Sequence, residues 1–158
     1  MEFKKLLNNH GIMFYDTYIE QYPEDSYERE ILRIFSYLNW SDYLGYEEKV
    51  PEEFQLKNNP KAAKKLKKLT LMTVFQQGGT KSFDELSKII DEESSQLQNI
   101  ICEAISEGLI FGKIDELRKE VKCSRAASRC IMNTPESIQA ITDGINKFIE
   151  RIDNAINL

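Results

Sequence analysis

Apolar residues recur at helical spacing along most of the chain, and one short segment breaks the rhythm. Residues 3–22 read as one or two short amphipathic helices with Gly11 as the break. In the segment EREILRIFSYL, Ile31, Leu32, Phe35 and Leu38 fall on one helical face, and Asp25 with Glu28 three residues later predicts its capped start. NWSDYLGY predicts a short helix begun by Asn39 or Ser41, with Trp40 and Tyr43 packing inward. Residues 47–60 read as a loop with a short helical turn. A long helix follows: Asn59 caps it, Pro60 takes its first position and Gly78–Gly79 stop it. Its first half is basic and is expected to be a wet face, through Lys61, Lys64, Lys65, Lys67 and Lys68. Its second half, LTLMTVF, is apolar nearly all round and has to be buried.

Ser82 and Glu85 have capping-box spacing ahead of a helix with Phe83, Leu86, Ile89 and Ile90 on one side. The next helix turns Leu97, Ile100, Ile101, Ala104 and Ile105 inward and ends at Gly108. Then the period changes. Leu109, Ile110 and Phe111 form an apolar run, a charged turn follows Ile114, and Val121 and Cys123 alternate with Glu120 and Lys122. That pattern predicts a β-hairpin. A short first strand is expected near Gly79–Lys81. Three helices and a hairpin make a winged helix, with the hairpin as the wing. After an irregular stretch over 123–133, Thr134 and Pro135 start a last helix. Along it Ile138, Ile141, Ile145, Phe148, Ile152 and Ala155 alternate spacings of three and four, and Ile149 and Ile156 widen the stripe.

The predicted fold is therefore mainly α with a small antiparallel sheet. It divides into an N-terminal helical part (1–68), a winged-helix subdomain (69–128) and a C-terminal bundle helix (134–158). The first two turns of the last helix, near Ile138 and Ile141, are balanced between folding back on the chain and staying free. Ile149 to Ile156 are expected to meet a helix from another chain.

Composition narrows the function. The chain has 158 residues, net charge -5, three cysteines and one histidine. No apolar run approaches the ~20 residues that cross a bilayer, and residues 1–11 are too polar to be expected to act as a secretory signal. Cys102, Cys123 and Cys130 form no CxxC pair, so no zinc site is expected, and Cys102 and Cys123 are expected to be buried. His10 stands away from any nucleophile, and no phosphate-binding glycine loop exists. No catalytic, cofactor or metal residue is expected, and no small-molecule substrate.

A winged helix raises the question of DNA. From Glu93 to Gly112 there is no lysine or arginine, while Glu103 and Glu107 are present, which predicts a helix face that repels phosphate. Lys113, Arg118, Lys119 and Lys122 of the wing are interleaved with Asp115, Glu116 and Glu120. Nucleic acid is not expected as a partner. What remains is surface for proteins: the last helix, and the hairpin's outer strand with its unpaired backbone groups, around Lys113, Asp115, Val121 and Cys123.

The chain resembles PCI-domain proteins, the scaffold subunits of the proteasome lid, the COP9 signalosome and translation initiation factor 3. The likeness lies in Trp40-x-Asp42-Tyr43 after an apolar helix, in Lys65, Leu66, Leu69 and Thr70 of the linking helix, and in Gly112-Lys113-Ile114-Asp115 of the wing, with Arg129 after it. The turn at Trp40 is similar to the subunit-7 branch of the signalosome. The Lys-Ile-Asp wing is similar to the m subunit of initiation factor 3. The resemblance implies a non-catalytic scaffold of cytoplasm and nucleus that assembles with other PCI and MPN subunits, in a complex that deneddylates cullins. It implies pairing through the winged helix and the C-terminal helix.

Overall fold

The computed structural model describes residues 2–130 and 134–156. Two short helices, α1 (Phe3–Asn8) and α2 (Asp16–Ile19), open the chain. They lead to α3 (Tyr27–Tyr37) and α4 (Trp40–Glu47). Ser26, not Asp25, caps α3: its hydroxyl accepts from the Arg29 N–H. Asn39 precedes α4, and the Asp42 carboxylate accepts from the Asn39 N–H at 2.7 Å.

The expected loop over 47–60 is two single-turn 3-10 helices, Glu52–Phe54 and Leu56–Asn58, clamped from both ends. The Tyr43 hydroxyl accepts from the Leu56 N–H at 2.6 Å and donates to Glu47. Burial holds its pKa up, at about 12. Val50 and Leu56 are buried, so this segment belongs to the core despite its polar composition.

α5 (Pro60–Val74) runs through the middle of the molecule. The winged helix is completed by β1 (Gly79–Ser82), α6 (Phe83–Ile90), α7 (Ser94–Ser106), β2 (Ile110–Asp115) and β3 (Glu120–Ala126). The Ser82–Glu85 capping box forms as its spacing predicts. The sheet is antiparallel in the order β1–β3–β2, so the last strand lies in the middle. β3 also extends through Ala126, well into the stretch expected to be irregular. The rest of that stretch is described only to Cys130, and 131–133 lie outside the described residues.

Two glycines let β3 approach its neighbours. Gly78 has φ of +71°, and a Cβ there would stand 2.5 Å from the Ser124 carbonyl oxygen. Gly112 sits where the β2–β3 register shifts, and a Cβ there would run into the Lys122 carbonyl oxygen. α5 ends at Val74, with Phe75 as its cap, a turn before the glycine pair expected to stop it, and Gly78–Gly79 instead lead the chain into the first strand.

One hydrophobic core runs from Leu6 and Tyr15 through Phe35, Tyr43, Leu66 and Phe75 to Leu97, Ile110 and Val121. It joins the N-terminal helices to the winged helix without a gap. Last comes α8 (Pro135–Ile156), from which no residue is buried.

Candidate interaction surfaces

Three of the five lysines of α5 leave the wet face expected of them, and this decides what the surface can offer. Lys65, Lys67 and Lys68 are buried. Lys68 donates to Glu107 at 2.6 Å and reaches Glu103 at 2.9 Å, and Lys64 takes the other Glu103 oxygen at 2.8 Å. Burial alone would lower the pKa of Lys68, but Glu107 and Glu103 outweigh it and hold the pKa up. Lys67 lies 4.2 Å over the Trp40 ring and donates to Glu92 and to the Asp91 carbonyl. Lys65 donates to the Asn9 carbonyl at 2.6 Å beside the Tyr15 ring. One helix thereby ties α1, α4, α6 and α7 together with charged struts whose stems are buried and whose heads find acceptors.

This pairing changes the reading of α7. Glu103 and Glu107 are neutralised by α5 and give α7 no free acidic face. Among its exposed residues Ser95, Gln96, Asn99, Cys102 and Ser106 are uncharged. Cys102 is exposed, contrary to expectation, because it follows Ile101 onto the outer side of the helix. Cys123 is buried, and burial pushes its thiol up to about 11.

Arg129 fixes where the chain leaves the wing. Its guanidinium donates to the carbonyls of Phe35 (2.9 Å), Leu38 (2.8 Å) and Leu69 (3.2 Å), and to the Thr73 hydroxyl (2.8 Å). The first two are orphan acceptors at the C-terminal end of α3, where a cation is favoured. Burial lowers the arginine's pKa to about 10. Trp40, at the start of α4, is tied to the same helix: its N–H donates to Thr70 Oγ1, whose hydroxyl donates to the Leu66 carbonyl. Motif residues Trp40, Asp42, Tyr43, Leu69, Thr70 and Arg129 therefore serve one joint between α3, α4 and α5.

The predicted docking residues separate into two groups. Val121 and Cys123 do not lie at a margin. They are buried on β3, which is paired on both sides, and they face the helices. The sequence could not tell which hairpin strand lies outside, since that depends on where β1 adds. The free edge of the hairpin is β2, which carries Lys113 and Asp115. At the wing's tip Leu117 is 99% exposed, and Arg125 stacks 4.6 Å from the Phe111 ring on the outer face.

On α8 the stripe stands open. Ile138, Ile141, Ile145, Phe148, Ile149, Ile152 and Ile156 are between 40% and 75% exposed. The first two turns do not fold back: Ile138 and Ile141 are as open as the rest. A shallow concavity joins Gln77 to Ala140, Gly144 and Lys147, yet even Phe148, which shares it, is mostly exposed. Among the described residues no helix is long and apolar enough to cross a membrane.

The model of the PCI domain matches residues 52–124, from the first 3-10 turn through β3. Over that span the chain is similar to the PCI domain. PCI domains are typically non-catalytic scaffold domains that assemble into multi-subunit complexes, and the mainly helical fold with its three-stranded sheet agrees. No curated protein matches the chain.

Proposed function

We propose that this chain is a PCI-domain protein, a non-catalytic scaffold subunit of the COP9 signalosome, equivalent to its subunit 7. The observation that carries the scaffold reading is α8, a helix of 22 residues with an open apolar stripe. Each large apolar side chain contributes about 1.5–3 kcal/mol when buried, so seven left in water favour covering by another helix. The heptad-like spacing suits a bundle of C-terminal helices. β2 offers a second surface, because its outer backbone groups have no strand partner among the described residues. In this reading other PCI and MPN subunits cover both surfaces, and a metalloprotease partner removes the ubiquitin-like modifier from cullins. The site of action is cytoplasm and nucleus.

The joint built on Trp40, Asp42 and Tyr43 supports the signalosome branch. A second reading, the m subunit of initiation factor 3, is supported by Gly112–Asp115 on the edge strand. Affinity purification from native cells with mass spectrometry separates them. Cullin-linked partners support the signalosome and ribosomal subunits support the translation factor. Retention on duplex DNA at physiological salt, lost as salt rises, would replace both with a nucleic-acid function.

A further inference from the structure

α1 and the loop after it lie against α5 and leave a cleft of about 390 Å3 between them and the end of α7. Leu7, Met13 and Leu109 give it an apolar lining. The α5 side is lysine: Lys61, Lys64, Lys65 and Lys68 all border the cleft, against only Glu103 and Glu107. Those carboxylates are taken by Lys64 and Lys68. Lys65 is left with a carbonyl and a ring face, and has no carboxylate within salt-bridge distance among the described residues. A buried ammonium whose counter-charge, Glu107, stands beyond salt-bridge distance is costly. Lys61, exposed at the mouth beside His10, likewise has no ion pair among the described residues. The Asn8 carboxamide oxygen, on the same wall, is buried without a hydrogen-bond partner.

Surplus positive charge and an apolar lining meet in one concavity of small-molecule size. We propose that this cleft binds a small organic anion with an apolar body. Its acid group is held by Lys65 and Lys61, and its body packs on Leu7, Met13 and Leu109. An inorganic ion would leave the apolar lining wet, and a neutral hydrocarbon would leave Lys65 and Lys61 without an anion. The site is separate from α8 and from the β2 edge and does not rest on the scaffold reading.

The test is a titration of the full chain, with 13C-labelled methionine methyls, by hydroxynaphthoate. Naphthol serves as the neutral control. The Met13 methyl is expected to shift saturably, with naphthol at least about tenfold weaker. Lys61→Glu, at the first turn of α5 where an acidic residue suits the helix, is expected to weaken hydroxynaphthoate by about tenfold with unchanged circular dichroism. An unmoved Met13 methyl, equal binding of naphthol, or undiminished binding to the folded Lys61→Glu chain would each overturn the proposal.

Discussion

The Arg129 guanidinium donates to the Leu38 carbonyl at 2.8 Å, across 91 residues of sequence. The contact closes the end of α3 with a side chain that has already passed through the wing. It makes the N-terminal helices and the winged helix one mechanical body. Removal of that side chain leaves several buried carbonyls without donors. Arg129→Ala is expected to lower stability by about 3 kcal/mol in urea unfolding, with the transition still single. Arg129→Lys is expected to recover less than half, because one ammonium cannot span α3 and α5 as the planar fork does. A loss under about 0.5 kcal/mol in the alanine variant would show the joint to be dispensable.

Gly112 and Gly45 make a matched pair of tests. A methyl at Gly112 meets the Lys122 carbonyl oxygen and the Cys123 sulfur at 2.7 Å, and backbone on a central strand cannot yield. Gly112→Ala is expected to cost about 2 kcal/mol or more. Gly45 lies in α4 with nothing within 4 Å of an added Cβ. There the same substitution is expected to stabilise by about 0.5–1 kcal/mol, since alanine loses less entropy in a helix. Thermal unfolding of both variants reads the contrast.

Lys65 supplies a pH dependence. Burial lowers its folded pKa from 10.5 to about 8. Between those values the unfolded chain binds more protons than the folded one, so this group's contribution to stability rises as pH goes from about 8 to 10.5. The expected rise is about 1–2 kcal/mol. It is measured as the difference in unfolding free energy between the parent chain and Lys65→Met at pH 7 and at pH 10. A difference that does not change with pH would mean that Lys65 meets water when folded.

Much of the fold is legible along the chain because local signals agree there. Asn59 with Pro60, and Ser82 with Glu85, set helix starts, and the change of period at Leu109 announces the hairpin. Which apolar residues stand at the surface is half legible. Heptad spacing predicts the α8 stripe, and that stripe stands open. Val121 and Cys123 alternate like any half-buried strand, and alternation does not say whether a strand is central or outer. The lysine run was misread for a related reason. Lys64, Lys67 and Lys68 look like solvated charge until their partners Glu92, Glu103 and Glu107 are brought opposite from 25 to 39 residues away. Only the closing of α6 and α7 over α5 supplies that information. Arg129 likewise has no local signature for the role its geometry gives it.

The most direct test changes Ile145, Phe148 and Ile152 together to serine in the full chain and expresses it, tagged, in native cells. These side chains are exposed on α8, so the melting temperature of the purified variant is expected to match that of the parent. The parent is expected to co-purify with a multi-subunit assembly, and the folded triple variant to emerge alone. Undiminished recovery of the assembly by the variant, or its global unfolding, would contradict the account of α8 as an assembly helix.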